Sequence, residues 1–502
     1  MSKKYIIDSD ENSDYMYNVI KSIIEEAGPR PPCSEGERKG SEWAQKELRK
    51  FCDKVEWEDF YCRPRSFLGF IKYIFLVVAT SVFIFIFSDS DPITKIVLSV
   101  ISLGPGLFGV LIFYKSFLCY EEFLWPLFKK RKSQNIIGTF SPTNEVKKRI
   151  IFCGHIDSTI YNHFQYLQHG YLYALVMGVF PIFFYPILYS FQLINGFIGQ
   201  EFVVFGIIFN ILVIGLPGFL AIIMLVIGPK TGAVLNIFGQ MSKRGFIAIL
   251  GMVIYSYIID FMYIFLVTRF TLVDAAILEL LNLLPCVPGL ILFQSRKASP
   301  GALDNLTAVA ICHCIAKILH DWKVQKHADF PKNTEIKILI CGCEEAGLKG
   351  SQAFAERHAE EYNKIETLGV NFETIANSKE VKIYTREDTI RQELDKEIAY
   401  DLAACAEKLN LNYKITTMPF ISGAIDSAGL MRGGIRASSL EGFHYEDYCW
   451  NYHSTRDNLD MVNKKRRPNE DCGTRWNNRN VRGAMENALK ISLEYIKLIN
   501  NR

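Results

Sequence analysis

Apolar residues fall into three different rhythms along this chain. Residues 14–51 show helical spacing in two segments, split by the Pro/Gly turn "AGPRPPCSEG"; the second segment is "SEWAQKELRKF". "KVEWEDFYC" then alternates as a strand does, and "NIIGTF" and "KRIIFCGHIDS" read as two more short strands. The second rhythm is continuous. Six stretches of about 20 apolar residues each are long enough to cross a bilayer. They cover residues 67–87, 92–114, 171–193, 202–228, 245–267 and 271–293, the last of them interrupted by Asp274, Glu279, Pro285 and Pro288. The third rhythm begins at "QSRKASPGALDN", where helical segments alternate with short apolar strands such as "IKILICG", "TLGVNFETI" and "IRASSLEG". Such alternation marks a layered α/β domain.

These rhythms predict a domain in pieces. Residues 1–66, 115–160 and 294–502 form the α/β part, with an interfacial aromatic-then-basic stretch, "YEEFLWPLFKKRK", at 120–132. A membrane hairpin at 67–114 and a four-helix membrane insertion at 171–293 interrupt it. Both insertions have an even number of crossings, so the chain returns to the same side each time.

Composition sharpens the division. The 502 residues carry a formal net charge of +3, are 49% apolar and have a mean hydropathy of +0.11. A soluble chain of this length is usually more polar, and the excess lies in the long runs. No strongly basic stripe is present, so a nucleic-acid partner is not expected. The opening "MSKKYIIDSDENSDYMYNVI" is polar and does not read as a signal peptide. Thirteen cysteines follow no disulfide-like spacing and read as free thiols in a reducing compartment. "CGC" and "CHC" do not read as a metal site. Lys and Arg gather on one side of the predicted spans, at Arg63, Arg65, Lys115, residues 129–132, Lys230, Lys243, Arg244, Arg296 and Lys297, against Lys95 and Arg269 on the other. This bias puts the α/β domain on the cytoplasmic side of a multi-pass protein of about six helices.

The candidate chemistry sits at strand ends. Glu344 and Glu345 stand side by side after "IKILICGC", where two adjacent carboxylates repel and lose hydration unless a cation meets them. "GHIDS" places His155 and Asp157 at another strand end, "SPGALDN" places Asp304 before a helix, "VNFET" ends in Glu373, and "NYHSTRDNLD" presents His453 with Asp457 and Asp460 behind it. Strand ends are where open α/β sheets bind ligands, and imidazole with carboxylate suits zinc.

In this order the motifs "GHIDS", "SPGALDN", "CEEAGLKGS", "VNFET" and "NYHSTRD" resemble the di-zinc exopeptidases of the family containing aminopeptidase S, aminopeptidase Y and glutamate carboxypeptidase. The resemblance covers roughly residues 15–65, 133–158 and 295–501. It implies a mixed-sheet α/β sandwich with helices on both faces, here with inserted transmembrane helices. It further implies two Zn2+ or other divalent ions, with Asp304 bridging them, His155 and Glu373 completing one site, and Glu345 and His453 completing the other. Glu344 would be the general base, and Asp157 would fix the tautomer of His155. Downstream, "GAIDSAGLMRGGIRAS" departs from the family's usual run: Asp426 keeps its place, but Ser427 and Arg436 stand where His and Pro are common. Asp426 and Arg436 are therefore expected at the substrate pocket.

The expectation is an integral-membrane zinc aminopeptidase acting on peptides. The competing readings are an inactive receptor or scaffold on the same fold, a single-zinc glutaminyl cyclase, and a transporter suggested by Asp260, Asp274 and Glu279 within apolar runs. Neither the oligomeric state nor the preferred substrate residue can be read from the sequence.

Overall fold

The computed structural model describes residues 9–86, 92–162, 294–418, 423–442, 453–462 and 480–502. Four of the six predicted spans, from 171 to 293, lie outside the described residues, as do Cys449 and most of "RWNNRN". The chain divides into two compact units: Met1–Phe67, Trp125–Tyr161 and Arg296–Arg502 form the first, and Leu68–Leu124 and Asn162–Ser295 the second.

The first unit is built on one nine-stranded mixed sheet. In chain order its strands are β1 (Lys54–Cys62), β2 (Arg131–Phe140), β3 (Lys148–His155), β4 (Thr334–Cys341), β5 (Glu366–Glu373), β6 (Val381–Glu387), β7 (Gln392–Glu393), β8 (Tyr413–Met418) and β9 (Ala437–Glu441). They lie in the order β1-β2-β4-β3-β5-β9-β6-β8, with β7 against β6. β3 runs parallel to both β4 and β5, and β9 is parallel to β5. β2 is antiparallel to β1 and β4, and β9 to β6.

The central strands are buried on both faces, which is why they read as unbroken apolar runs and not as alternation. Successive side chains still point to opposite sides. Ile150 and Phe152 of β3 enter one apolar core with Ile338, Val370 and Phe372. Helices α1 (Ser9–Ala27), α2 (Glu35–Leu48), α3 (Leu306–Val324), α5 (Lys396–Lys408) and α7 (Val481–Asn501) cover that face, contributing Ile20, Leu48, Val309, Leu402 and Ile496. Ile151 and Cys153 enter the opposite core, under α4 (Lys349–Tyr362) and α6 (Asp426–Arg432), with Phe354 and Leu430. The expected arrangement of helices on both faces of a mixed sheet is what the unit has.

Local signals explain where the helices start. Ser34 caps α2, its hydroxyl accepting the Glu37 N–H at 3.1 Å, and Asp395 caps α5 by accepting the Ile398 N–H at 3.0 Å. Where the chain leaves and rejoins the unit its ends meet. The Ser299 N–H donates to Thr159 O at 2.9 Å and the Ser158 hydroxyl to Ser299 O at 2.7 Å, across 140 intervening residues. At the other break, the Arg63 guanidinium lies 5.1 Å from the centre of the Trp125 ring. The basic end of the expected interfacial stretch is partly strand, since Arg131 and Lys132 open β2.

In the second unit, helices Ile71–Ile86 and Pro92–Phe113 pack against each other, and the Ser81 hydroxyl donates to Ser102 O at 2.6 Å. Leu76, Phe83, Val97, Val100, Leu107 and Leu111 are exposed on them. Among the described residues one helical stretch, Ile96–Leu118, is long and apolar enough to cross a membrane by itself, with 23 residues and a mean hydropathy of 2.4. Ile71–Ile86 has 16 residues, about 24 Å of helix against the ~30 Å of a bilayer core.

Candidate active site

The parallel strands β3, β4 and β5 point the same way, so their carboxyl ends gather at one edge of the sheet. His155 is the last residue of β3 and Glu373 the last of β5, while Glu344 and Glu345 follow β4 by a few residues. Asp304 arrives from the loop before α3. That loop turns at Gly301, whose φ is +61°, and a Cβ there would lie 2.6 Å from Asp304 O and 2.7 Å from Ser158 Cβ. Only glycine fits both the backbone conformation and the space. The Asp304–Asn305 peptide is cis.

Asp304 stands between two imidazoles. Its Oδ1 is 3.4 Å from His155 Nε2 and its Oδ2 is 3.3 Å from His453 Nε2. His155 Nε2 is also 3.7 Å from an oxygen of Glu373 and 3.7 Å from one of Glu344, and His453 Nε2 is 3.5 Å from Glu345 Oε1. Two donor groups result, His155 with Asp304 and Glu373, and Asp304 with Glu345 and His453. They share Asp304. All five expected ligand residues come together from distant parts of the sequence.

Several buried residues hold the donors in place. The carboxylate of Asp157 accepts the N–H of Glu344 on one oxygen and that of Glu345 on the other, both at 3.0 Å. The first of these oxygens lies 3.4 Å from His155 Nδ1. The Asn305 side-chain amide donates to Phe372 O at 2.9 Å and to Glu373 Oε2 at 3.2 Å. Asp457 accepts the N–H groups of Leu303 at 2.8 Å and Asp304 at 3.1 Å. Arg30 is fully buried, and its guanidinium donates to Ile156 O at 2.7 Å, Gly28 O at 2.8 Å and Gly301 O at 3.1 Å. Arg30, Asn305 and the placing role of Asp457 were not expected from the sequence. A buried Arg30 in the "GPRPP" turn shows only once its acceptors, far away in sequence, are in place.

Electrostatics make the cluster unusual for a cation-free interior. Burial raises Glu344 well above the carboxylate range, Glu373 and Glu345 adding to the effect against His155. Burial likewise pushes Glu345 up to about 8. Burial opposes the charged form of His155, yet Glu344, Asp157, Asp304 and Glu373 outweigh it and raise its pKa well above the usual value. Among the described residues, His155 Nε2 and Glu345 Oε1 are buried without a hydrogen-bond partner. Orphaned ligand atoms in a nest of carboxylates fit a divalent cation, which repays the desolvation that the acids alone cannot. Two imidazole nitrogens with carboxylate oxygens form a zinc-type donor set.

The two expected substrate-pocket residues fare differently. Asp426 opens α6, is fully buried, and is close enough to His155 and Glu373 for their charges to act on it; burial pushes it up to about 7. Arg436 precedes β9 and lies level with the middle of β5, whereas the cluster lies at the carboxyl end of β5. Its carbonyl accepts the Gly369 N–H early in β5, and its guanidinium pairs with Asp395 and Glu397 at 2.6 Å each. The structure therefore does not bring Arg436 to the site.

Comparison with known proteins adds an independent strand. Residues 293–469 match the model of Peptidase family M28. Aminopeptidase YwaD of Bacillus subtilis is 24% identical over 184 residues, 35% of this chain and 36% of that protein, so the match spans about a third of the relative's length. Two solved structures align over most of both chains. A zinc aminopeptidase from Bacillus subtilis has 11% identity, a TM-score of 0.45, and covers 97% of this chain and 95% of its own. A glutaminyl cyclase from Bacteroides thetaiotaomicron has 12% identity, a TM-score of 0.43, and covers 97% of each. These likenesses are too loose to rank one activity over the other. Both sequence matches are to peptidases, the first of them over residues 293–469.

Proposed function

We propose that this chain is a zinc metallo-exopeptidase of aminopeptidase type, anchored in a membrane by its insertions. The observation that carries the reading is Asp304, shared between His155 and His453 at 3.4 and 3.3 Å. A carboxylate offering one oxygen to each of two donor groups is what a pair of ions needs. His155 and Glu373 would complete one site, and Glu345 and His453 the other. Ions held there would supply Lewis acidity, polarising a scissile carbonyl and lowering the pKa of water.

The chain's own residues account for the proton. Glu344 reaches toward His155 but belongs to neither donor group, so its carboxylate remains available. Its place beside His155, within reach of both donor groups, suits a carboxylate that accepts a proton from water. Glu344 then returns that proton to the departing amine. Asp157, gripping the N–H groups of both Glu344 and Glu345, fixes the base relative to the donor groups and orients His155.

The exposed apolar helices of the second unit support membrane anchorage, and the Lys/Arg bias supports a cytoplasm-facing catalytic unit. Elemental analysis of protein purified without chelators tests the metal assignment, with two zinc-class ions per chain expected. One ion per chain together with cyclisation of N-terminal glutamine would favour a cyclase, and none would return the reading to a scaffold. Digestion of a peptide library shows whether single N-terminal residues are released. Retention in carbonate-washed membranes tests anchorage, and labelling of Cys449 by an impermeant thiol reagent in intact cells would contradict the cytoplasmic placement.

A further inference from the structure

A second cluster of metal-type donors lies beside the first and shares no residue with it. Cys33, in the turn before α2, Cys62, the last residue of β1, and Cys343, between β4 and Glu344, bring their sulfurs together within 4.8 Å of one another. Cys33 Sγ is 3.6 Å from Cys62 Sγ and 3.4 Å from Cys343 Sγ. None of the three is in a disulfide. At a zinc–sulfur bond of about 2.3 Å, the sulfurs of a tetrahedral site are about 3.8 Å apart. The observed separations are within a few tenths of an ångström of that edge.

An oxygen donor stands next to the sulfurs. Glu37 is fully buried, and its Oε1 lies 3.3 Å from Cys343 Sγ. The same carboxylate accepts the N–H groups of Cys343 at 2.8 Å and Cys33 at 2.7 Å and the Ser133 hydroxyl at 2.9 Å. These bonds hold two of the three cysteine backbones in register. Phe60, Ala346 and Ala353 pack around the sulfurs. Cys62 and Cys343 are buried and Cys33 is partly exposed, which leaves a route in from the Cys33 side.

We propose that Cys33, Cys62 and Cys343, with Glu37 as the nearest oxygen donor, form a thiolate site for a thiophilic ion of the zinc class. On binding, the thiols become thiolates and their protons pass to water. No electron is transferred. The site would join the turn before α2, the end of β1 and the loop that carries Glu344 and Glu345, so its occupancy would brace that loop. It does not depend on the catalytic reading.

Cadmium distinguishes the two clusters, because a sulfur-to-cadmium charge-transfer band in the ultraviolet requires thiolate ligands and the histidine–carboxylate cluster has none. Full-length, metal-stripped protein kept reduced with a non-thiol reductant is titrated with Cd2+. The expected result is a band that saturates at one equivalent of sulfur-bound cadmium and falls at least tenfold in Cys33→Ser and in Cys62→Ser, while Cys312→Ser retains it. Far-ultraviolet circular dichroism shows whether each variant has kept its fold. Absence of the band in wild-type protein would overturn the proposal whether or not the variants fold, and so would a band undiminished in the Cys33→Ser, Cys62→Ser double variant. Failure of the catalytic reading would appear separately, as no cadmium bound without a sulfur band.

Discussion

The carboxylate of Asp457 accepts the backbone N–H of Asp304 at 3.1 Å, one buried acid fixing the position of another. Asp457 lies four residues after His453, so one short segment supplies a donor and also holds the loop of the shared carboxylate. Asp457→Ala removes the acceptor of two buried N–H groups. Loss of such an outer partner typically weakens metal affinity or activity by 10–100-fold. A competition titration with a chromophoric chelator is expected to show that loss, with the far-ultraviolet spectrum unchanged.

Glu344→Gln keeps the size of the side chain and removes its ability to take a proton. Peptide hydrolysis should fall by about 10²–10⁴-fold. The metal content should stay at the wild-type value, because Glu344 is in neither donor group. Wild-type turnover, or loss of metal along with the activity, would contradict the assignment.

Arg30→Met replaces a buried guanidinium with an apolar chain of similar length. The carbonyls of Gly28 and Ile156 then lose their guanidinium donor, while Gly301 O keeps the Leu306 N–H at 3.3 Å. At about 1–3 kcal/mol for each orphaned carbonyl, destabilisation of about 2 kcal/mol or more is expected. The change in the urea midpoint, at constant m, measures it.

Glu441 supplies a pH signature beside the donor residues, as the cross-strand neighbour of Glu373. It is buried, accepts the Tyr384 hydroxyl, and burial pushes its pKa up to about 7, with Lys382 partly opposing. Unfolded, it titrates near 4.3. Between those values the folded chain keeps a proton that the unfolded chain has lost, so this group's contribution is full below the lower value and is lost as pH rises through 7. At ~1.4 kcal/mol per unit, the loss is at most about 4 kcal/mol. Denaturation of metal-free protein, with chelator present throughout, should show the decline, and Glu441→Gln should flatten it.

What could be read from the sequence depended on how far apart the interacting residues lie. "GHIDS", "CEEAGLKGS" and "VNFET" each carry their strand and its terminal donor in one short stretch, so His155, Glu345 and Glu373 could be read directly. Arg30 could not, because its acceptors lie as many as 271 positions away. The three clustered cysteines could not either, since 310 positions separate Cys33 from Cys343 and no spacing signals the contact. Arg436 was misplaced for a different reason. Its place in the chain said nothing of register, and the parallel pairing of β9 with β5 sets it next to Gly369, four residues before Glu373.

Strand β3 also bears on the order of events during synthesis. Both of its partners, β4 and β5, are encoded after residue 333. At ~5–20 residues per second, β3 waits on the order of ten to forty seconds on the ribosome before either neighbour exists. Throughout that interval Ile150, Ile151 and Phe152 have neither edge paired, while residues 171–293 are being made. The first unit is therefore completed late, from a waiting amino-terminal piece and a late carboxyl-terminal one, and a chaperone that shields a bare strand has its opportunity here.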